Sequence, residues 1–136
     1  MSARTFVDTN VLLYAEDDSS PAKQRLAEKL VRQLTDAQSG HVSMQVLQEY
    51  YSTATRKLRL SADIATLKIQ AYMRWHVVTL QPNDLLIAID LQQRYQFSIW
   101  DALIIRAAMI SNCEILYSED MQAGQRIDGL TIVNPF

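Results

Sequence analysis

Two aspartates come directly or closely after short apolar runs that resemble buried strands. Asp8 follows residues 5–7 (Thr-Phe-Val), and Asp120 lies three residues beyond residues 115–117 (Ile-Leu-Tyr). In a parallel sheet the carboxyl ends of the strands share one edge, and ligands bind in the crevice beyond that edge. We therefore predict that these two carboxylates meet at the ligand-binding edge of a sheet.

Two further acids are expected at the same edge because helices start where strands end. Asp101 lies in the first turn of a helix predicted to begin at Ser98, and Glu49 lies in the first two turns of the helix that follows residues 41–44. Close carboxylates repel one another, and a divalent cation relieves this repulsion. An all-oxygen site suits Mg²⁺ or Mn²⁺. Such a site predicts phosphodiester hydrolysis by metal-activated water.

Each acid also has a structural interpretation. Asp8 could cap the helix that follows it, and Asp101 fits a capping box with Ser98. Glu49 could be a solvated charge on a helix face, and Asp120 an ordinary turn acid. The functional hypothesis therefore depends on all four acids sharing one edge.

The elements that must position these acids alternate along the chain. Short β-rich runs lie at residues 5–7, 41–44, 76–80, 115–117 and 131–133, and helical patterns at 10–14, 22–38, 46–54, 61–75, 83–94 and 99–111. Pro21, Ser61, Asn83 and Ser98 are the expected helix starts, and Gly40 is the expected end of the second helix. Alternation of this kind predicts an α/β domain with a mostly parallel sheet.

Length and composition restrict the class of protein. The 136 residues, 49% hydrophobic and 21% charged, predict one globular domain spanning residues 1–136. No apolar run approaches the ~20 residues of a membrane span, and no signal peptide is visible, so we expect a cytoplasmic protein.

Several kinds of site are disfavoured by residue counts. A single cysteine, Cys113, excludes an intrachain disulfide, and His41 and His76 lack metal-ligand spacing. The three glycines cannot form a dinucleotide-binding or phosphate-binding loop. A net charge of −2 means that a nucleic-acid partner would need a local basic patch.

Basic and aromatic residues near Glu49 have two interpretations each. The basic group Arg56, Lys57 and Arg59 could bind RNA phosphates or form a solvated helix end. Tyr14, Tyr50 and Tyr51 could stack on bases, although the apolar pattern around residues 50 and 51 favours a core position for one of them. Trp100 is expected to pack in the interior rather than to stack on a base.

Four segments together resemble the PIN-domain family, specifically the VapC-type toxins of bacterial toxin–antitoxin pairs. They are Phe6-Val7-Asp8-Thr9-Asn10, Gln48-Glu49-Tyr50, Ser98-Ile99-Trp100-Asp101-Ala102-Leu103-Ile104 and Ser118-Glu119-Asp120-Met121, and the C-terminal residues 129–136 are also similar. The resemblance covers essentially the whole chain through the order and spacing of these pieces. It implies a three-layer α/β/α fold and a Mg²⁺- or Mn²⁺-dependent ribonuclease.

The resemblance also implies roles for individual residues and partners. Asp8 and Asp101 would be the main metal ligands, Glu49 and Asp120 would complete the pocket directly or through water, and Asn10 and Ser118 would support them. Either Glu119 or Asp120 could be the fourth acid, with Asp120 preferred on the motif. The family further implies a homodimer inhibited by a VapB-type antitoxin.

Two other functional classes are open at this point. Asp8 could be the nucleophile of an aspartyl phosphotransferase or phosphatase, although Asn10 stands where such enzymes carry a second aspartate. Alternatively, the chain could be a PIN module that binds RNA or a protein without cleaving it.

Overall fold

The computed structural model describes residues 2–136 and contains one six-stranded sheet with flanking helices. The elements in chain order are β1 (Thr5–Val7), α1 (Thr9–Tyr14), α2 (Pro21–Ala37), β2 (Gly40–Ser43), α3 (Met44–Arg56), α4 (Ala62–Tyr72), β3 (His76–Val78), α5 (Pro82–Tyr95), α6 (Ile99–Ile110), β4 (Ile115–Tyr117), β5 (Arg126–Ile127) and β6 (Leu130–Val133). The predicted α/β class with a mostly parallel sheet is confirmed.

The strand order places β1 at the turning point of the sheet. The order is β3-β2-β1-β4-β6-β5, and every pair is parallel except β5 with β6. The chain winds outward from β1 through β2 to β3 and then returns to place β4 on the other side of β1. A crevice therefore opens beyond the carboxyl ends of β1 and β4, as expected at a topological switch point.

The middle of the sheet forms the centre of the core. Phe6 and Val7 on β1, Leu116 on β4 and Ile132 on β6 are fully buried. Strands covered on both faces need apolar side chains pointing both ways, which explains why these short runs are continuous rather than alternating. This packing gives the residues at the ends of β1 and β4 a rigid base.

Most helix starts agree with the sequence-based prediction. Pro21 is the first residue of α2, and the hydroxyls of Ser61 and Ser98 accept N–H groups in the first turns of α4 and α6. The prediction for α5 was wrong, because its N-cap is Gln81 rather than Asn83. Pro82 occupies the first helical position, where its missing N–H has no intrahelical partner to lose.

Gly40 does not end α2 as predicted. The helix ends at Ala37, with Gln38 in the left-handed conformation at φ 55°, and Gly40 is the first residue of β2. A Cβ at Gly40 would lie 2.6 Å from the Trp75 ring. Close approach to Trp75, rather than helix termination, therefore explains the glycine.

None of the helices in residues 2–136 has the length and hydropathy of a bilayer-spanning segment.

Candidate functional site

All four predicted acids line one open pocket of about 390 Å³ at the carboxyl edge of the sheet. They come from four separate places: the end of β1, the second turn of α3, the first turn of α6 and the loop after β4, and they are Asp8, Glu49, Asp101 and Asp120. The juxtaposition that the sequence suggested is therefore present in the fold.

Asp8 is the most buried of the four acids. It is the N-cap of α1, where its Oδ1 accepts the Thr9 N–H at 2.8 Å, and its Oδ2 accepts the Ser118 hydroxyl at 2.8 Å. Burial raises the pKa of Asp8 to about 6; the charges of Asp101 and Glu49 act in the same direction, and the two hydrogen bonds oppose them. The capping interpretation of Asp8 is thus correct, and the same side chain also lines the acidic pocket.

Asn10 connects the ends of β1 and β4. Its Nδ2 donates to Asp120 Oδ2 at 3.0 Å and to Asp8 Oδ2 at 3.3 Å. Its Oδ1 accepts the Glu119 N–H at 3.1 Å. The amide therefore lies between two carboxylates and holds the loop after β4 against the start of α1.

Glu49 is exposed at the pocket wall but is held in place. The Thr9 hydroxyl donates to Glu49 Oε2 at 3.1 Å, and the Gln45 side-chain amide donates to Oε1 at 2.8 Å. Sequence reasoning missed both supporting residues. Gln45 had a usable signal, since residues four apart on a helix are neighbours, and Thr9 lies within the segment that carried the resemblance.

Asp101 lies half-buried in the first turn of α6. Its N–H donates to the Ser98 hydroxyl at 3.1 Å, which is half of the predicted capping box. Burial raises the pKa of Asp101; interaction of the Ser98 side chain with the carboxylate opposes this shift, and the charges of Asp120 and Glu49 reinforce it.

Glu119 and Asp120 point to different partners. Glu119 accepts Lys23 Nζ at 2.6 Å and the Tyr14 hydroxyl at 2.7 Å, and these hydrogen bonds lower the pKa of Glu119. Asp120 lines the acidic pocket and Glu119 does not. The geometry therefore favours Asp120 as the fourth acid and makes Glu119 part of an ion pair with α2.

The sequence of residues 5–128 matches the PIN domain family model. The chain belongs to the PIN-domain family. Several solved structures share its fold. A sarcin–ricin-loop-cleaving VapC toxin from Mycobacterium tuberculosis has a TM-score of 0.67 at 19% identity, covering 85% of this chain and 89% of that chain.

Two solved complexes are also similar to this PIN domain. A toxin–antitoxin complex from Klebsiella pneumoniae has a TM-score of 0.69 at 18% identity and covers 97% of this chain and 98% of that chain. A VapBC complex from Rickettsia felis, bound to a DNA fragment from its promoter, has a TM-score of 0.67 at 16% identity and covers 94% and 96%. Curated proteins include no significant match. At these identities the likeness establishes the fold.

The donor chemistry of this PIN-domain pocket suits Mg²⁺ or Mn²⁺. Within residues 2–136, no three or more His, Cys, Asp or Glu side chains are gathered as a ready-made metal site. Mg²⁺ needs only one or two protein carboxylates, because waters and substrate phosphates complete its shell. Asp8 also has no cationic partner among the ion pairs of the described residues, so a bound cation would offset its buried charge.

The basic and aromatic residues around the pocket are divided between surface and core. Arg56 lines the acidic pocket, Lys57 lines a neighbouring cavity, and Tyr50 is fully buried as the pattern suggested. The prediction for Trp100 was wrong: it lines the pocket with 64% of its surface exposed. The capped start of α6 directs this residue away from the apolar side of the helix, which buries Ala102 and Ile105 instead.

Proposed function

We propose that this PIN-domain chain is a Mg²⁺- or Mn²⁺-dependent endoribonuclease and the toxin of a VapBC-type toxin–antitoxin pair. One observation carries the proposal: four carboxylates from separate elements line a single pocket, and the most buried one, Asp8, has no cationic partner in residues 2–136. Like-charged groups gathered without compensation are costly for the fold and are typical of sites that bind a cation.

Asp8 and Asp101 would hold the cation, with Glu49 and Asp120 completing the pocket directly or through water. When bound, the cation supplies the positive charge that stabilises the phosphate oxygens and activates water for in-line attack. The chain supplies the orientation. Thr9 and Gln45 fix both oxygens of Glu49. Asn10 and Ser118 fix Asp8, and Asn10 also holds Asp120.

The decisive experiment is cleavage of a generic single-stranded RNA with Mn²⁺ and then with EDTA. We expect cleavage by the wild type with Mn²⁺ only, and none by Asp8→Asn. Asp84→Asn is the matched control, because Asp84 is buried to the same degree (8% against 7% exposed) but lies outside the pocket. Equal cleavage with EDTA, or by Asp8→Asn, would reject the metal mechanism.

The same proteins can also be used to test the two alternative functions, an aspartyl phosphotransferase or phosphatase and a non-catalytic PIN module. Covalent labelling of Asp8 by beryllofluoride would support phosphotransfer, although the residues lining the acidic pocket include no lysine to assist it. Metal-dependent RNA binding without cleavage would support a non-catalytic PIN module. Neither outcome is expected, since nothing in a binding module requires Asp8 to stay charged and unpaired.

The proposed partners are a VapB-type antitoxin and a second copy of the chain. Fold similarity to solved toxin–antitoxin complexes supports the first, and family resemblance supports the second. We expect the product of a small neighbouring reading frame to co-purify with the chain and to inhibit cleavage. Light scattering of the purified chain should give twice the monomer mass, and a monomer at micromolar concentration would contradict the homodimer.

A further inference from the structure

The indole of Trp100 is a large apolar surface placed at the rim of a polar pocket. Its relative exposure is 64%, and it lies directly before Asp101 in the first turn of α6. The backbone there is held firmly. The Ser98 hydroxyl caps the helix start, and the Gln45 amide donates to the Trp100 carbonyl oxygen at 3.4 Å. The side chain is thus presented to solvent on a rigid base beside the carboxylates.

Exposure of this indole has no evident benefit for the fold. A tryptophan contributes most when its large area is buried, and single exposed apolar residues usually carry little meaning. This one differs in its position, because it shares a pocket with the four acids and with Arg56.

Arg56 adds the complementary chemistry for a polynucleotide. Its Nε donates to the carbonyl and hydroxyl oxygens of Ser52 at 3.3 and 3.2 Å. It takes part in no ion pair of the described chain, so its terminal amino groups are free for a phosphate. A nucleic-acid strand alternates phosphates with flat bases, and the lining of the pocket includes a cationic group and a flat indole together with the acids.

We propose that Trp100 is the stacking platform for a nucleobase next to the scissile phosphate of single-stranded RNA. This inference rests on the proposed ribonuclease function and deepens it. Stacking is available to any base because each has a flat face, so the residue would contribute affinity with modest sequence preference. It also favours unpaired RNA, since duplex bases are already stacked on one another.

The test is single-turnover cleavage with Mn²⁺, in which the enzyme concentration that gives half-maximal rate is measured. Loss of one stacked base predicts that Trp100→Ala raises this concentration about 5- to 150-fold, with a smaller change in the maximal rate. Trp100→Phe should restore most of the affinity. Leu86→Ala is the control, because Leu86 is also 64% exposed but lies on α5 away from the pocket.

Substrates with an abasic residue beside the cleaved bond show whether the base is what Trp100 contacts. We expect the abasic substitution to weaken the wild type as much as Trp100→Ala does, and to cause no further loss in that variant. A second readout uses the Trp75→Phe protein, in which Trp100 is the only indole. Its fluorescence should be quenched by RNA on mixing, before cleavage, and much less by the abasic strand.

Two results would overturn the inference while leaving the nuclease proposal intact. One is that the Trp100→Ala substitution weakens the affinity for abasic RNA by the same factor as it weakens the affinity for normal RNA. The other is unchanged RNA cleavage by Trp100→Ala accompanied by a change in self-association, which would make the indole a protein contact. If the wild type does not cleave RNA with Mn²⁺, the proposed function fails and this inference fails with it.

Discussion

Two aspartates with nearly the same exposure, Asp8 at 7% and Asp84 at 8%, lie in different regions of the molecule. Asp84 lies in the first turn of α5, where it accepts the Gln81 N–H at 2.8 Å and the Nε–H of Arg106 on α6 at 2.9 Å. These two hydrogen bonds lower the pKa of Asp84, whereas burial raises the pKa of Asp8 to about 6.

The difference between the two regions is that the carboxylate of Asp84 joins two helices through an ion pair, whereas the carboxylate of Asp8 takes part in no ion pair of the described residues. At the α5–α6 contact the protein supplies its own cation, so the carboxylate stays ionised and connects the helices. In the acidic pocket the protein places neutral donors and other acids around Asp8, and no ion pair of the described residues offsets its charge, which is the basis for proposing that an external cation binds there. A buried acid therefore indicates a site only when its partners are considered as well.

The largest expected effect is on cleavage. Asp8→Asn should lower the rate of Mn²⁺-dependent RNA cleavage by about 10²–10³-fold or more, the range seen when one group that stabilises the transition-state charge is removed. Asp84→Asn, assayed well below its melting temperature, should keep the wild-type rate. Initial rates on a labelled RNA measure both, and comparable losses in the two variants would erase the distinction between the regions.

The next effect is the pH dependence of stability without metal. Because the folded-state pKa of Asp8 is about 6 and an unfolded aspartate titrates near 3.9, the folded state binds more protons between these values. The contribution of Asp8 to the free energy of unfolding should therefore fall by about 3 kcal/mol as pH rises from about 4 to above 6.

Denaturant titrations of the wild type and Asp8→Asn across this pH range isolate that contribution. As pH rises, the wild type should lose stability relative to the Asp8→Asn variant. Saturating Mn²⁺ should remove most of the difference for the wild type above pH 6 and little of it near pH 4.5. If the difference in unfolding free energy did not change with pH, the pKa of Asp8 would not be raised in the folded state.

Thermal unfolding at pH 8 should give opposite signs for the two regions. Asp84→Asn leaves the Arg106 guanidinium without its partner and is expected to lower the melting temperature. Asp8→Asn removes an unpaired buried charge and should raise the melting temperature or leave it unchanged. Calorimetry of the two purified variants is sufficient, and a lower melting temperature for both would contradict the comparison.

The smallest effect is expected at Glu119, which is paired with a cation as Asp84 is but adjoins the pocket. Breaking its partly exposed ion pair with Lys23 by Glu119→Gln should reduce cleavage by less than about fivefold, in keeping with the modest energies of such pairs. Asp120→Asn should reduce cleavage by more. The reverse ranking in a rate measurement would make Glu119 the fourth acid of the site.

The helix starts show which features of the fold can be predicted from neighbouring residues alone. Pro21, Ser61 and Ser98 were predicted correctly, because a cap depends on donors within three or four residues of the chain. Asn83 was an incorrect choice of cap, because the helix begins one residue earlier, at Pro82. The N-cap is Gln81, and its backbone N–H donates to the carboxylate of Asp84. The two-residue strand β5 was missed because so short an element has no periodicity and exists only by pairing with β6.

The acidic pocket could be anticipated because parallel strand ends meet at one edge, so acids that follow strands converge whatever their separation in the chain. The preference for Asp120 over Glu119 came from the motif resemblance alone, and its physical basis could not be anticipated from the sequence. It depends on Lys23, 96 residues away, and on the Tyr14 hydroxyl, both of which hold Glu119 outside the pocket.

Sequence alone determined the class of this protein: the alternation of strands and helices apart from β5, the family and the acids that meet. These follow from interactions a few residues apart and from the directionality of parallel strands. Tertiary structure alone decided which acids form ion pairs, how far the pKa of Asp8 is raised and whether Trp100 is buried or exposed. Burial and hydrogen-bond partners depend on side chains from distant segments, whose positions exist only after the chain has packed.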